Sequence, residues 1–513
     1  MLTRVYSAAL VGVDATEVQI EVNEGAGHPK TLIVGLPDAA VKESRDRVMT
    51  ALANSALRIP KGRTTINLAP ADLRKEGPSF DLPIALGVAA LASKDYFPPE
   101  AFEKCLVAGE LALNGEVRPI KGALPIAIEA RKQGRKAVLL PLENAVQAAV
   151  VEGVYVYGIR SISEAVALLR GEGNVKPVKF DRAAFWAGHR SYGIDFSDVK
   201  GQHHVRRSLE VAVSGGHNVV MVGPPGTGKS MMAKRMVTIM PPMTEAEAIE
   251  TTKVHSVAGL LTQEHGFVGV RPFRSPHHTI SDAGLLGGSS NPSPGEVSLA
   301  HHGILFLDEL PEFRRSTLEV LRQPLEDGEV TISRANGSLT FPSRFTLVAA
   351  MNPCPCGFLG SPARECHCSP GMIEKYRGRI SGPLLDRIDL QVEVPAVDYQ
   401  QLKGGDPGES SETIRDRVCR AREIQRQRFS GCPGVHTNAD MTPRLTLKHC
   451  RLDSKSDLLL EHAMHELNFS ARAHDRILKV ARTLADLAGE DAIGENHVME
   501  AIQYRSLDRK LWV

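Results

Sequence analysis

The sequence predicts an α/β protein of several domains, with an α+β front, an α/β core and a helical end. Three observations predict it. A buried-strand pattern, Asn218–Val222, runs into Gly223-Pro224-Pro225-Gly226-Thr227-Gly228-Lys229-Ser230, and a helical pattern, Met231–Met240, follows until Pro241-Pro242 stops it. Ahead of that stretch, short alternating runs are interleaved with helical ones. Behind Pro395 the patterns turn helical. Strand, loop and helix in that order are the setting in which G-x-x-x-x-G-K-[ST] cradles phosphate. Glycines let main-chain N–H groups converge on phosphate oxygens, and the helix N-terminus adds partial positive charge. Lys229 is placed to reach the β- and γ-phosphates of ATP, and Ser230 to hold Mg²⁺.

At 513 residues the chain has room for about three domains. Its 42% hydrophobic and 24% charged content is that of globular protein rather than a disordered chain. Lys+Arg 61 balances Asp+Glu 60, so a nucleic-acid partner has to rest on local basic surfaces. No apolar run approaches the roughly 20 residues of a membrane helix, and Met1–Ser7 lacks a signal-peptide layout. A cytoplasmic protein with no membrane partner is expected. Eight cysteines in so long a chain are no disulfide scaffold, and four of them cluster, which points to metal.

In the front region, Val18–Val22 and Thr64–Leu68 alternate like half-buried strands. Asp38 caps a helix reaching Ala53; Pro83–Ser93 and Ala123–Gln133 read as helices and Ala137–Leu140 as a strand. The words Lys42–Val48, Asn67–Asp81 and Gly134–Asn144 resemble the Lon-type proteolytic domain, an α+β fold of the ribosomal protein S5 kind, and its relative in the RadA recombination protein. Gly77-Pro78-Ser79 falls where that family carries its nucleophile. The position of the partner lysine holds Ile126, which cannot serve as a base, and Lys121 falls before it. The resemblance therefore implies a proteolytically inactive domain over 1–175, a scaffold or a nucleic-acid-facing surface. From Lys176 to Tyr192 no period holds, so 176–194 is expected to be a linker or a packing arm near a domain boundary.

The expected core, 195–395, opens with Asp195–Gln202 and a helix, His203–Ser214. Gly303–Leu307 is a buried strand delivering Asp308 and Glu309, the first for Mg²⁺ and the second to polarise the attacking water. A further strand, Phe345–Met351, ends in Asn352. The set resembles the AAA+ ATPases, in which the lead-in lies against adenine and Asn352 would be a polar sensor. Pro383–Asp389 resembles the arginine-finger segment of the Mg-chelatase and MCM branch. That resemblance implies that Arg387 acts on a neighbouring subunit's ATP, the bland alternative being an Arg387 pair with Asp386 or Asp389. Ser470-Ala471-Arg472 resembles the second sensor, implying that Arg472 meets the nucleotide in cis. A hexameric ring is implied.

Two stretches mark the branch. One, between the phosphate loop and Asp308, includes Val270–Thr279 and Asp282–Gly288 and resembles that branch's helix-interrupting insert. The other, Glu329–Phe341, carries Asn336-Gly337 between β-rich arms, a strong hairpin signal with Arg334 near the tip. Arg271, Arg274 and Arg334 are candidates for DNA phosphate contacts. Cys354-Pro355-Cys356 and Cys366-His367-Cys368 suit a closed tetrahedral Zn²⁺ site, with His367 or an iron–sulfur cluster as alternatives. The remaining cysteines are scattered. The pairs His203-His204, His277-His278 and His301-His302 are expected to be poor chelates, since neighbouring side chains diverge on a helix or strand.

The end region, 396–513, is expected to be a helical lid: Ser411–Phe429, rich in arginine and solvated or subunit-facing, then Lys455–Leu467, Ala471–Ala488 and Glu495–Tyr504. Taken whole, the chain resembles the YifB/ComM family of Mg-chelatase-like ATPases. That resemblance implies an ATP-driven hexameric DNA helicase acting on single-stranded and branched DNA, promoting branch migration during recombination and natural transformation. Rivals are a magnesium-chelatase motor subunit, to which the front domain is expected to be foreign and whose partner's D-x-S-x-S motif is absent, and an ATP-dependent protein remodeller or protease.

Overall fold

A computed structural model describes residues 2–92, 97–98, 100–188, 192–262, 266–288, 293–334, 337–361, 364–396 and 408–507. They form two compact units: 1–188 with 245–269 and 331–341, and 189–244 with 270–330 and 342–513. The expected core range therefore contains two stretches that group with the front unit.

The strands of the front unit are β1 (Leu2–Val11), β2 (Asp14–Gly25), β3 (Lys30–Val34), β4 (Arg63–Ala69), β5 (Cys105–Val107), β6 (Glu110–Leu111), β7 (Val117–Arg118), β8 (Ala137–Pro141) and β9 (Tyr155–Ile159). Seven of them make a mixed sheet in the order β3-β4-β2-β1-β5-β8-β9, and β6 pairs with β7. β1, β2 and β4 run antiparallel, whereas β5, β8 and β9 run parallel. The helix Asp81–Ala92 is buried on almost every side, which is why it carries no polar face. It packs on β1 and β2, with Gly87 close against Val22 and Val5. Helix Ala39–Asn54 starts where Asp38 accepts a hydrogen bond from the Val41 N–H (2.7 Å).

Asp81 is buried and paired with Arg47 (2.8 Å), with the Ser44 hydroxyl also bonded to it. Ile126 is buried on helix Ala123–Lys132. The stretch expected to be a linker or a packing arm holds a short helix, Arg182–Gly188, and packs. Its irregular composition is explained by an aromatic cluster, in which the Phe180 and Phe185 rings lie 5.6 and 5.3 Å from Phe267. Helix Glu245–Ala258 is tied to the same unit by the Gly122 N–H donating to Ser256 O (3.0 Å).

The second unit is built on β10 (Val219–Val222), β11 (Phe273–Arg274), β12 (Ile304–Leu307), β15 (Thr346–Met351) and β16 (Leu390–Glu393); β13 (Glu329–Arg334) and β14 (Gly337–Pro342) form a separate pair, most of which, 331–341, belongs to the front unit. The five run parallel in the order β11-β12-β15-β10-β16, so every one of their carboxyl ends points the same way. β10, β12 and β15 are buried at every position, as continuous apolar runs in a parallel sheet should be. β13 and β14 flank the expected hairpin turn, whose Ala335 and Asn336 lie outside the described residues, as does the side chain of Arg334.

Among the described residues five α-helices follow: Ser411–Arg428, Pro443–His449, Ser454–Glu466, Ala471–Ala488 and Glu495–Gln503. Helices Ser411–Arg428 and Ala471–Ala488 both pack on helix His203–Gly215. The arginine-rich helix keeps a solvated face at Glu412, Asp416, Arg420 and Arg426, while four of its arginines turn inward. Arg415 and Arg422 donate to the carbonyls of Thr238 and Val213, Arg417 pairs with Glu210 and Arg428 with Asp486. Main-chain carbonyls at helix ends and buried carboxylates, which periodicity does not reveal, are what those charges satisfy. Among the described residues no helix is long and apolar enough to cross a membrane.

Candidate active site

Parallel register brings the expected residues to one end of the second unit's sheet. Val222 of β10 stands opposite Met351 of β15, and Leu307 of β12 opposite Ala349, so Gly223, Asn352 and Asp308 all emerge at the carboxyl end. Gly223 is required for close approach: a Cβ there would lie 2.2 Å from Val394 O. Gly226 and Gly228 supply positive φ (80° and 82°), and Gly228 precedes helix Lys229–Ile239.

Lys229 is nearly buried, and its ammonium donates to the carbonyls of Gly223 (2.7 Å) and Pro224 (2.8 Å) and reaches Asn352 Oδ1 (3.4 Å). Burial lowers its pKa, against the opposing attraction of Asp308. Ser230 Oγ donates to Asp308 Oδ2 (2.6 Å), and the Glu309 N–H donates to Asp308 Oδ1 (3.0 Å). A hydroxyl and a carboxylate so juxtaposed are hard oxygen ligands that fit Mg²⁺ beside a polyphosphate, and these two residues would hold it. Glu309 has a left-handed backbone (φ 53°), a conformation costing a non-glycine residue on the order of 1 kcal/mol and typical of functional positions.

Two contributors escaped the sequence reading. Gln202 donates its amide to Thr227 O (3.1 Å) and Pro395 O (3.0 Å), clasping the phosphate loop to the end of the sheet; its place at the close of the lead-in was the signal. His278 Nδ1 lies 3.5 Å from Glu309 Oε2. The rings of His277 and His278 lie 4.1 Å apart, and those of His301 and His302 3.9 Å. The expectation that neighbouring histidines diverge is therefore corrected at these two pairs. They sit outside helices and strands, and His302 has a left-handed φ of 57°.

Arg387 and Arg472 stand elsewhere. Arg387 comes three residues before β16, whose Leu390 faces Val219 at the amino end of β10. Asn218 fixes it there by donating to Arg387 O (2.9 Å). From Asn218 to Gly223 the strand rises about 16 Å, so Arg387 and the phosphate loop of one chain occupy opposite ends of the sheet. Arg387 pairs with Glu326, not with Asp386 or Asp389. Arg472 pairs with Asp386 (2.7 Å), beside Arg387. Arg472 is exposed, and the partner it has in the chain lies at the sheet's amino end.

Arg271 and Arg274 also depart from expectation. Arg271 donates to the carbonyls of Pro241 (2.6 Å) and His302 (2.8 Å), and Arg274 makes a bidentate pair with Glu296 (2.6 and 2.7 Å). Both guanidinium groups hold the fold rather than face a phosphate backbone.

Directly after Asn352, the sulfurs of Cys354, Cys356, Cys366 and Cys368 all lie within 4.8 Å of one another. The separations 354–356, 354–366 and 356–366 are 3.4, 3.7 and 3.6 Å. Four ligands about 2.3 Å from a tetrahedral ion stand about 3.8 Å apart, so the donor set fits Zn²⁺. His367 is not part of the cluster. The Cys356 thiol is lowered to about 6, chiefly by the Phe358 main-chain N–H.

A phosphate loop, an acidic strand end and a polar strand end on one parallel sheet define a nucleotide-hydrolysing enzyme of the AAA+ class. Comparison sharpens that class. Residues 195–402 match the family "Magnesium chelatase, subunit ChlI", residues 408–505 "Magnesium chelatase, subunit ChlI C-terminal", and residues 20–144 "Subunit ChlI of Mg-chelatase". The chain is 43% identical to "Competence protein ComM" of Haemophilus influenzae and 41% to "Uncharacterized protein YifB" of Escherichia coli, in each case over 99% of this chain and 98% of the relative. It is 23% identical to the "Magnesium-chelatase 38 kDa subunit" of Rhodobacter capsulatus over 59% of this chain and 84% of that one. The chain belongs to the YifB/ComM family of Mg-chelatase-like AAA+ ATPases. The front residues 20–144 match a family described as a chelatase subunit, while the Rhodobacter capsulatus chelatase subunit aligns with only 59% of this chain.

Proposed function

We propose that the protein is a ring-forming ATPase that translocates on DNA and drives branch migration, in the uptake and integration of transforming DNA. The placement of Arg387 carries this reading. A guanidinium about 16 Å of strand away from its own phosphate loop serves hydrolysis only by reaching another subunit's nucleotide, and a closed ring, a hexamer by family resemblance, gives every subunit such a neighbour. Arg472, held beside it through Asp386, faces the same neighbour. In this reading Lys229 and Asn352 contact the terminal phosphates, Ser230 and Asp308 hold Mg²⁺, and Glu309 polarises water. Four thiolates hold structural Zn²⁺. The front domain is an inactive Lon-like scaffold.

DNA as the track is supported by the full-length similarity to a competence protein, and Arg334 on the hairpin is the candidate phosphate contact. A chelatase-type motor is the second reading, favoured by the family matches. One assay separates them: ATP turnover with single-stranded DNA, branched DNA, protoporphyrin or unfolded protein added, together with displacement of a labelled strand from a branched substrate. Stimulation by DNA with strand displacement is expected. Stimulation by porphyrin or protein but not by DNA overturns the helicase reading.

A further inference from the structure

We infer that the four-thiol centre is a thermodynamic partner of the phosphate loop: metal bound there raises nucleotide affinity, and bound nucleotide retains the metal. This rests on the zinc and ATP readings above and adds the coupling between them.

The link is a contact of backbone against ring. Gly357, inside the thiol loop and at φ +84°, sits so close to the phosphate loop that an added Cβ would lie 2.7 Å from Pro225 Cδ and 3.7 Å from Asn352 Cγ. The Gly357 N–H donates to Cys354 O (3.0 Å), so the turn that gathers the first two thiols is the same turn that supports Pro225. On the other side, Pro353 O accepts from Arg377 Nε (3.2 Å) and Nη2 (3.0 Å). Arg377 ends helix Pro370–Arg377, which begins just after Cys368. Asn352, next to Pro353, in turn touches Lys229. The segment 352–377 is thus a closed loop resting on two parts of the nucleotide site.

The outer part of that loop has little besides metal ligation to order it. From Phe358 to Ser369 none of the described residues is buried, so the segment has no core of its own. Where a loop lacks an apolar core, metal–thiolate bonds supply the ordering free energy. A platform ordered by metal and pressed against Pro225 biases the phosphate loop toward its phosphate-binding form. Linkage makes the effect reciprocal: nucleotide must tighten metal binding by the same factor that metal tightens nucleotide binding.

The test uses full-length protein purified without chelator. Zinc is quantified by elemental analysis, and its transfer to a chromogenic chelator is timed with and without ADP. Release slowed by at least about fivefold by ADP is expected. After zinc removal, affinity for a fluorescent ADP analogue should fall by a comparable factor and return when zinc is restored. Gly357→Ala, which keeps all four thiols, should retain zinc while binding nucleotide more weakly; unchanged nucleotide affinity in this variant overturns the seating on Pro225. One zinc per chain released at a rate indifferent to ADP overturns the coupling and leaves the zinc reading standing. Absence of zinc removes the metal reading and the inference with it, and a zinc-loaded protein that binds no nucleotide overturns the ATP reading instead.

Discussion

At the carboxyl end of the second unit's sheet, Lys229 donates to two carbonyls and touches one amide, and Ser230 and Asp308 have mainly each other. At the amino end, Asp389 is buried between His217 Nδ1 (3.0 Å) and Arg476, His217 Nε2 meets Thr483 (2.8 Å), and Asn218 staples strand to strand. One end offers groups whose best partners are the oxygens and cation of a nucleotide. The other offers groups already partnered, held to the helical region through Arg472 and Arg476. A site that must exchange ligand keeps its bonding capacity open, and under the proposed trans role Arg387 is held in position beforehand.

The sharpest way to break this comparison is to remove the finger. Arg387→Ala should lower kcat by about 10³–10⁵-fold while leaving nucleotide affinity unchanged, because nothing at its own phosphate loop is disturbed. Mixing it with Glu309→Gln subunits should restore part of the turnover, since a hybrid interface pairs an intact Glu309 with an intact Arg387. Stopped turnover with no rescue on mixing would place Arg387 in cis. Next in size is Lys229→Ala, expected to cost about 10²–10³-fold in kcat and to weaken nucleotide binding, read by turnover and by titration of a fluorescent nucleotide. Mixing with Arg387→Ala separates the two ends again, since each variant supplies what the other lacks.

The open end was legible in the sequence because its chemistry is local. Eight consecutive residues make the phosphate loop, and Asp308, Glu309 and Asn352 each terminate a strand recognisable by its apolar run. The locked end was not, because its bonds join distant residues: His217 to Asp389, Arg472 to Asp386, Arg476 to Asp389. No spacing rule connects them. For the same reason Arg271 and Arg274 looked available until their carbonyl and carboxylate partners were known. In the front unit, β1 went unread because Ser7-Ala8-Ala9, buried throughout, mutes its alternation, whereas β2 and β4 alternate cleanly.

A smaller effect tests the rigidity of the locked end. Burial opposes ionisation of Asp389, yet Arg476 and His217 hold its pKa well below the usual carboxylate range. A depressed folded-state value means the stabilisation is complete above the unfolded value of about 3.9 and is lost as the pH falls below it. Asp389→Asn should cost on the order of 3 kcal/mol by stranding Arg476 and His217, and should flatten the acid limb of the stability curve, followed by urea unfolding from pH 7 down to 3. An unaltered acid limb would show that this end is held by packing instead.

The smallest effect is carried by the hairpin. Each guanidinium that neutralises a DNA phosphate releases condensed counterion, so losing one flattens the dependence of log K on log salt by about 0.7–0.9 per contact, the lower figure for single strands. Arg334→Ala should show that flattening for each subunit whose hairpin grips the backbone, with affinity falling uniformly across sequences. Arg274→Ala provides the contrast. Its guanidinium is spent on Glu296 in a bidentate, mostly buried pair, so the salt slope should stay put while stability falls by about 1 kcal/mol or more. The two slopes, measured by anisotropy of labelled single-stranded DNA across a salt series, discriminate cleanly because affinity alone would not: a destabilised ring also binds weakly, but it keeps its slope. A flattened slope in Arg274→Ala with none in Arg334→Ala would reverse the assignment and move the track from the hairpin to the edge strand β11.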